Sequence, residues 1–304
     1  PGVPGGLSVS DGTDSSCAYL TWDGVVGATN YVIYRSEDSV APDSSSTSTS
    51  MTHFRDEDAV PGRFYTYWVK AYIPDATPSL GDYSDPDTGY RKLSAPVLAD
   101  GNGASDGSSS EYVRIEFSSV TGADSYEITR NTSENLDGAD ILTASTNIWD
   151  DTTVIPGRPY YYRLRAYSDS SDSYSDYSIW ELGYRAFEAP LSVSASDNQS
   201  IGSVTITWDT VSGDVDGYVI HRNTEDDSSG DTLFTAAGSP FVDDDAYCGR
   251  MYHYWVKAVN NSEGIDGPLS SGDTGYAKLP PPQDVLISSG GYGSTQSLVD
   301  ISWY

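Results

Sequence analysis

One segment recurs along the whole chain, and this repetition limits the available folds more than any other feature of the sequence. Alternating apolar and polar residues lead to an aromatic residue at Trp22, Phe117, Trp208 and Trp303, at spacings of 95, 91 and 95 residues. Solenoid repeats are about 20 to 50 residues long, whereas an immunoglobulin-like sandwich has about 100. Each repeat is therefore long enough to be a domain with its own core.

The remaining parts of each repeat recur in the same order. Segment 30–35 returns at 125–130 and 217–222. A second segment, which begins at Pro61, returns at Pro156 and Cys248. Both alternate apolar with polar residues, are rich in Val, Ile, Thr and aromatic residues, and are bounded by Gly, Asp, Ser and Pro, as strands and turns are. The sequence predicts an all-β fold of tandem sandwiches in an extended rod.

Three motifs in this order resemble the fibronectin type III domain, in the form common in bacterial secreted and cell-surface proteins. They are apolar-x-Trp, then Ala-x-x-Tyr-x-Ile-x-Arg, then Asp-x-x-x-x-Pro-Gly-x-x-Tyr-x-Tyr-x-Val-x-Ala. The resemblance covers nearly the whole chain and implies an immunoglobulin-like sandwich with a tyrosine corner at Tyr65, Tyr160 and Tyr252. Phe117 stands where Trp is usual and Cys248 where Pro is usual. Such a resemblance identifies a fold rather than an activity.

The repeat predicts three complete domains and part of a fourth: 1–93, 94–187, 188–279, and 280–304 as the first two strands of an incomplete repeat. Short links that contain proline join them, which restricts the chain to extended conformations. Two strands alone would leave an apolar face uncovered. We expect either that the chain continues or that strands of another subunit complete this sandwich.

The charge of the chain excludes some partners. With 16 Lys and Arg against 45 Asp and Glu, the formal charge is −29, which repels nucleic acid and anionic lipid. No apolar run approaches the roughly 18 to 20 residues of a membrane helix. The 3 histidines lie in no catalytic motif, and no nucleophile elbow, zinc motif or phosphate loop is present. The sequence therefore predicts no enzyme and no cofactor.

Acidic clusters precede the tyrosine corner of each repeat. They lie at 56–58, 150–151 and 243–245. Calcium requires six to eight oxygens at defined spacing, and the calcium-loop motif is absent. Capping of the turn is the favoured role, with calcium bound in these loops as the alternative.

Three sets of residues are candidates for contacts or modification. Trp68, Tyr161 and Trp255 occupy outward positions on their strands, where exposed aromatic rings would form an interaction surface, either a glycan platform or a lateral contact. Sequons make Asn131, Asn198 and Asn260 candidate glycosylation sites. Cys17 and Cys248 lie in loops at the same end of different domains, so rods staggered by two domains would bring them together as an intermolecular cross-link. The alternative is two free or buried thiols.

These features predict a non-catalytic structural protein, a segment of an extracellular stalk, surface fibre or filament. Its expected partners are copies of itself or further domains of the same chain, with glycans or cell-surface proteins as additional partners. The alternative is a glycan- or protein-binding adhesin, or an accessory module of a secreted polysaccharide-degrading enzyme. The composition, rich in Ser, Thr, Asp, Gly and Tyr, suits an extracellular or cell-surface location.

Overall fold

The structure is a computed structural model, and it describes residues 1–99, 103–229, 232–283, 286–289 and 299–302. All named elements within these ranges are β-strands, so the all-β prediction is confirmed. The chain divides into two compact units, Pro1–Val154 with Pro159–Arg185, and Ile155–Arg158 with Ala186–Tyr304. No helix in the described ranges is long and apolar enough to span a bilayer.

The first sandwich lies in unit 1 and has a three-stranded sheet, β1-β2-β5, and a four-stranded sheet, β4-β3-β6-β7. All strand pairs in both sheets are antiparallel. Its strands are β1 (Ser8–Val9), β2 (Ala18–Thr21), β3 (Asn30–Ser36), β4 (Thr47–Thr49), β5 (His53–Asp56), β6 (Phe64–Tyr72) and β7 (Asp87–Tyr90).

The second sandwich, also in unit 1, repeats this arrangement with the sheets β11-β8 and β10-β9-β12-β14, and β13 pairs with the end of β12. Single bridges from Leu98 and Ala104 extend the smaller sheet beside β8. Its strands are β8 (Val113–Glu116), β9 (Ser125–Asn131), β10 (Asp140–Ala144), β11 (Ile148–Asp151), β12 (Pro159–Ser168), β13 (Ser173–Tyr174) and β14 (Glu181–Tyr184).

The third sandwich lies in unit 2, with the sheets β15-β17-β20 and β16-β23-β21-β18-β19, and β22 pairs with β21. Its strands are β15 (Ser194–Ala195), β16 (Asp197–Ile201), β17 (Val204–Thr207), β18 (Gly217–Asn223), β19 (Thr232–Ala236), β20 (Phe241–Asp243), β21 (Met251–Asn260), β22 (Ile265–Asp266) and β23 (Asp273–Lys278). Two more strands, β24 (Leu286–Ser289) and β25 (Val299–Ser302), pair antiparallel with each other. Trp303, the last repeat of the core aromatic, lies outside the described residues.

The recurring aromatic at the end of the second strand packs against a tyrosine of the third strand in each sandwich. Trp22 lies edge-on to Tyr31 at 5.5 Å, and Phe117 lies edge-on to Tyr126 at 4.7 Å. The third pair, Trp208 and Tyr218, is at 5.2 Å. All of these rings are buried. The spacing of 95 and 91 residues therefore marks one core contact, repeated once in each sandwich.

The same tyrosine also holds the loop that follows the aromatic residue. The backbone N–H of Val25 donates to the Tyr31 hydroxyl at 2.8 Å, and Val120 N–H donates to Tyr126 at 2.9 Å. Val211 N–H makes the same bond to Tyr218 at 3.1 Å. Because each hydroxyl satisfies a backbone donor, the loop between the second and third strands has a defined position at one end of the sandwich.

Candidate functional site

A buried cluster of arginine, aspartate and tyrosine connects the two sheets of the first sandwich. Arg35 comes from β3, Tyr67 from β6 of the same sheet, and Asp56 from β5 of the opposite sheet. Arg35 Nη1 lies 2.7 Å from Asp56 Oδ2, and the Tyr67 hydroxyl donates to the same oxygen at 3.0 Å. The Arg35 guanidinium also lies over the ring of Tyr65, 4.6 Å from its centre. The carboxylate thus fastens one sheet to the other.

The second and third sandwiches contain the same cluster. Arg130 Nη1 lies 2.7 Å from Asp151 Oδ2, and Arg222 Nη1 lies 2.7 Å from Asp243 Oδ2. Both aspartate side chains are fully buried. Their tyrosine donors are Tyr162, at 3.1 Å from Asp151, and Tyr254, at 2.7 Å from Asp243.

The second oxygen of each aspartate caps the turn that follows. Asp56 Oδ1 accepts from Asp58 N–H at 3.2 Å, and Asp151 Oδ1 accepts from Thr153 N–H at 3.0 Å. Asp243 Oδ1 accepts from Asp245 N–H at 3.2 Å. These bonds agree with the turn-capping interpretation of the acidic clusters. Within the part of the chain that the structure describes, no group of three or more His, Cys, Asp and Glu side chains is arranged to hold a metal ion.

The electrostatics of the cluster favour a charged pair and a neutral phenol. Burial, together with the neighbouring Asp56 carboxylate, raises the pKa of Tyr67 far above its usual range. The same causes raise the pKa of Tyr162 and Tyr254. Burial opposes the charge on Arg35, but the hydrogen bond and the charge of Asp56 exceed this effect and raise the arginine pKa. The arginine, aspartate and tyrosine of the cluster hold the strands together. Both oxygens of the buried carboxylate accept hydrogen bonds from within the sandwich and are not exposed to a substrate.

The outward aromatics predicted as an interaction surface are largely covered. Trp68 and Trp255 are only 5% and 7% exposed. The prediction that these two rings are exposed to solvent is therefore wrong. Residues 65–69 of β6 are all buried, so strand alternation does not bring Trp68 to solvent. Trp255 stacks on His253 at 6.0 Å, and Gly272 lies directly against its indole. Tyr161 is half-buried.

The three sequons have different environments. Asn198 is exposed, and Asn131 is half-buried with its amide bonded to Asn135 and Asp137. Asn260 is 3% exposed, and its Nδ2 donates to the Gly157 carbonyl at 3.0 Å. Because Nδ2 is the atom to which a glycan is attached, the expectation for Asn260 is corrected: its amide is buried and already bonded. The other two sites remain predictions.

The two thiols also differ. Cys17 is fully buried, and its thiol donates to Asp14 Oδ2 at 3.7 Å. Burial raises the pKa of Cys17, so the reactive thiolate is disfavoured. Cys248 is half-buried. The expected intermolecular cross-link conflicts with this arrangement because the sulfur of Cys17 does not reach the surface.

Cations stacked on aromatic rings form a further feature of the outer strand faces. Lys70 Nζ lies 3.7 Å from the ring centre of Tyr83, and Arg165 lies 3.8 Å from that of Tyr174. Arg165 also forms a 2.9 Å ion pair with Glu127. Lys70 and Arg165 occupy equivalent positions of the repeat, and this equivalence is visible in the sequence. Their ring partners come from later loops, which the repeat does not identify.

A junction between the first and second sandwiches lies entirely within unit 1, and the sequence did not predict its contacts. The turn Pro61–Gly62 of the first sandwich packs against Gly122, where an added Cβ would overlap the Pro61 carbonyl. The hydroxyl of Ser168 donates to the Gly62 carbonyl at 2.8 Å and is buried there. Leu93, at the end of the first repeat, is 1% exposed because it belongs to the core of the second sandwich.

Comparisons with known proteins give structural similarity at low sequence identity. No family model matches the chain. The structure of the FN1–FN3 domains of chicken CNTN1 is 18% identical, covers 92% of this chain and all of that chain, and has a TM-score of 0.29. A two-domain fibronectin type III segment of chicken tenascin is 17% identical, covers 56% of this chain and 94% of its own, and has a TM-score of 0.45.

The fold itself follows from the described strands. Each sandwich has a smaller sheet and a larger sheet. The second and fifth strands of the repeat lie in the smaller sheet, and the third and sixth strands lie in the larger sheet. Tyr65 and Tyr252 accept hydrogen bonds from Val60 and Tyr247 backbone N–H groups at 3.4 Å, the arrangement of a tyrosine corner. The chain is an all-β protein of tandem fibronectin type III-like sandwiches.

Proposed function

We propose that the chain is a non-catalytic structural protein, a segment of an extracellular stalk, surface fibre or filament. The junction inside unit 1 carries this proposal. Leu93 ends one sandwich and is buried in the core of the next, and a buried hydrogen bond from Ser168 to Gly62 joins them. Flexible tethering would need none of these contacts, whereas load-bearing or spacing needs domains that hold a fixed orientation.

The distribution of polar groups also supports a structural role. The most deeply buried charges of the sandwiches, Asp56, Asp151 and Asp243, are each bonded to an arginine, a tyrosine and a backbone amide. Charges used in this way raise the specificity of sheet packing and are not available to a substrate. We assign no enzymatic activity and no cofactor to the chain.

The proposed setting is outside the cell or on its surface, in the manner of bacterial secreted proteins with similar repeats. The proposed partners are further domains of the same chain or copies of it. We propose no binding to nucleic acid and no insertion into a membrane. The strong negative charge of −29 supports this choice because it opposes binding to anionic surfaces and favours solubility.

Electron microscopy tests the proposal. Cells of the source organism, labelled with antibodies raised against the purified chain, should show the label along stalks or fibres at the surface. Label confined to a dispersed, secreted form that binds a glycan on an array would contradict the proposal and favour the adhesin or accessory-module alternative. The array should include Tyr161→Ala as a control, since Tyr161 is the more accessible of the three predicted contact aromatics.

A further inference from the structure

The third sandwich has an open pocket of about 210 Å³, which we call the arginine pocket. Arg222 of β18, Thr232 of β19 and Arg250, in the turn before β21, lie in its wall. Thr224 and Tyr247 lie beside them. Among the described lining residues there is no carboxylate. The pocket therefore differs in charge from the chain as a whole, which has 45 Asp and Glu and a formal charge of −29.

Two guanidinium groups meet at one ring in this pocket. The Arg222 guanidinium lies 4.8 Å from the ring centre of Tyr252, and that of Arg250 lies 5.5 Å from it. Among the described residues, Arg222 forms its ion pair with Asp243 alone and uses only Nη1 for it, at 2.9 and 2.7 Å. Arg250 is exposed and forms no ion pair within the same part of the chain. One positive charge is therefore left over at the pocket.

The second sandwich shows what the remaining edge of such an arginine can bind. Arg130, the repeat counterpart of Arg222, uses Nη1 for buried Asp151 and gives Nε and Nη2 to Asp140, at 3.1 and 2.5 Å. Asp140 lies opposite Arg130 in the strand register, and Thr232 lies opposite Arg222 at the same place. A threonine hydroxyl cannot neutralise a guanidinium. The Nε and Nη2 edge of Arg222 is thus left without the carboxylate that its counterpart binds.

The arginine in the turn before the sixth strand is paired in both other repeats. Arg63 Nη1 lies 2.7 Å from Glu37 Oε1. Arg158 Nε lies 3.0 Å from Asp214 Oδ2. Arg250 has the same position in the third repeat. A guanidinium at this position therefore accepts a carboxylate where one is within reach.

The sequence explains why the arginine pocket is open. Glu37 follows the arginine of β3 by two residues, and Thr224 follows the arginine of β18 by two. Thr224 therefore stands in the place of Glu37, as Thr232 stands in the place of Asp140. Both carboxylates that neutralise the equivalent arginines elsewhere in the chain are threonines here. The pocket keeps its guanidinium groups and lacks their acidic partners.

The acidic residues 225–227 follow the pocket in sequence, but none of their side chains is among its described lining. Asp226 Oδ1 lies 3.7 Å from His253 Nδ1. Asp227 Oδ1 accepts a hydrogen bond from Ser229 N–H at 2.9 Å. These two carboxylates are directed to groups outside the pocket and do not replace the missing partners.

We propose that the arginine pocket binds the carboxylate of a single uronic-acid sugar. Guanidinium groups bind carboxylates through paired hydrogen bonds, and the hydroxyls of Thr224 and Thr232 can bond to the hydroxyls of a sugar. Tyr247, which is 69% exposed, offers a ring face beside them. The volume of about 210 Å³ is below the roughly 300–1,000 Å³ of pockets for drug-sized ligands, so it suits one sugar unit.

This inference goes beyond the proposed function, because it gives a structural segment a ligand of stated chemistry. A second copy of the chain also carries carboxylates. Two chains with a formal charge of −29 each repel one another, however, and a single uronic-acid unit carries only one negative charge. The charge balance therefore favours the sugar as the occupant.

A pair of sugars that differ only at C6 tests the proposal. Methyl β-glucuronide has a carboxylate there, and methyl β-glucoside has a hydroxymethyl group. NMR titration of the ¹⁵N-labelled chain at low salt follows the Nε–H signals of the arginines, which report directly on the guanidinium groups. The glucuronide should bind about tenfold more tightly than the glucoside, because only the carboxylate gains charge-assisted hydrogen bonds. Equal affinities, or binding of neither sugar, would overturn the proposal.

Acetate distinguishes a sugar from a bare carboxylate. It has the charged group of an aspartate side chain and none of the sugar hydroxyls. The glucuronide should bind about tenfold more tightly than acetate, because the threonine hydroxyls and the ring of Tyr247 add contacts to the sugar. If acetate binds as tightly, the pocket recognises any carboxylate, an acidic peptide included, and the assignment to a sugar is wrong.

Two arginine variants locate the binding. Arg250→Ala removes an exposed guanidinium and should weaken binding of the glucuronide about tenfold. Arg63→Ala is the matched control, because this arginine has the same place in the first repeat but is already paired with Glu37. Its affinity for the glucuronide should equal that of the unchanged chain. Equal losses in the two variants, or no loss in Arg250→Ala, would contradict binding at the arginine pocket.

A third position tests whether the missing carboxylate explains the open pocket. Thr224→Glu should weaken binding about tenfold, because the new carboxylate can pair with Arg250 as Glu37 pairs with Arg63. Thr224→Gln has the same side-chain length without the charge and should keep most of the affinity. Equal losses in the two variants would mean that bulk rather than charge closes the pocket, against the proposal.

These outcomes are separate from the microscopy that tests the proposed function. A fibre whose subunits bind the glucuronide would support both proposals. Label along fibres together with no binding of either sugar would overturn only the assignment of the pocket. A dispersed protein that binds neither sugar at this site would leave the fibre proposal and the pocket assignment contradicted by different measurements.

Discussion

Each buried aspartate accepts hydrogen bonds from an arginine and a tyrosine on Oδ2 and from a backbone amide on Oδ1, and in the third sandwich the arginine also contacts Oδ1. A carboxylate is stable in an apolar interior only when its charge is paired and its lone pairs are used. The third sandwich gives the simplest case, because Arg222 makes both of its ion-pair contacts to Asp243, at 2.9 and 2.7 Å. The cluster therefore serves stability and sheet alignment.

Replacement of this aspartate should destabilise the third sandwich strongly. Asp243→Asn removes the charge that compensates Arg222, whose side chain is 13% exposed, and we expect a loss of about 3–5 kcal/mol in the free energy of unfolding. The matched control is Asp266→Asn, which breaks the exposed pair with Lys257 and should cost about 0–1 kcal/mol. Urea denaturation of both variants measures the difference. Equal losses in the free energy of unfolding would show that the buried pair stabilises the protein no more than the exposed pair does.

The buried tyrosines predict a loss of stability at alkaline pH. Folding raises the pKa of Tyr67, Tyr162 and Tyr254, so their neutral forms are favoured in the folded state. This contribution is complete below the unfolded value of about 10 and is lost as the pH rises above it toward the folded pKa. Tyrosinate absorbance should show a fraction of tyrosines that ionises only as the circular dichroism of the sheets disappears.

Phenylalanine at these positions provides the control. Tyr67→Phe should remove one late-ionising phenol without changing the ionisation of the exposed tyrosines. Ionisation of all phenols in a single step near pH 10, with the sheets intact, would mean that the hydroxyls bonded to the aspartates are accessible to hydroxide.

Among the elements, the loop between the second and third strands does two things. Its tyrosine bond positions it in all three sandwiches, and in the second sandwich its glycine also lets the first sandwich approach. Gly27 and Gly122 have nearly the same backbone angle, φ of +83° and +84°, in the region that favours glycine. Only Gly122 also has a neighbouring carbonyl, that of Pro61, in the place of a Cβ.

This pair of glycines separates backbone strain from the junction. Gly27→Ala should cost about 1–2 kcal/mol because an L-residue is forced into the left-handed region. The nearest atom to its new Cβ is Ile73 Cδ1 at 3.6 Å, an ordinary contact. Gly122→Ala has the same strain and must also push Pro61 away, so its loss should be larger. Thermal unfolding of the two variants measures this, and equal shifts in Tm would mean that the junction opens without cost.

At the scale of the whole molecule, the end of one repeat is part of the core of the next. Leu93→Ala removes a side chain from the core of the second sandwich and should cost about 2–5 kcal/mol. Leu279→Ala is the control at the equivalent position, where the side chain is 64% exposed, and should cost less than about 0.5 kcal/mol. Calorimetry should show one joint transition for the first two sandwiches, which separates into two in Leu93→Ala. Two transitions already present in the unchanged chain would contradict coupling through Leu93.

The architecture could be predicted from the sequence because its signals are local and repeated. Alternation on segments such as 113–116 and 159–168 gives strands with one buried face, and the recurring aromatic and tyrosine give each core its central contact. Where one repeat departs from the pattern, the equivalent segments of the other repeats still indicate the correct strand. The arginine and aspartate of each cluster were visible as repeat-equivalent residues, although their pairing required the opposite sheet to be placed.

The fold class and the repeat were determined by the sequence alone, whereas the exposure of single residues was decided by the tertiary structure. Alternation assigns a face to Trp255 but not the segment with Gly272 that covers it. A sequon and a cysteine are recognised by their letters, yet Cys17 is fully buried, and the amide of Asn260 is buried and bonded to Gly157, which is distant in sequence. Burial depends on which surfaces meet, and those contacts join residues that no local pattern connects. For the same reason, the role of Leu93 became visible only when two sandwiches were seen together.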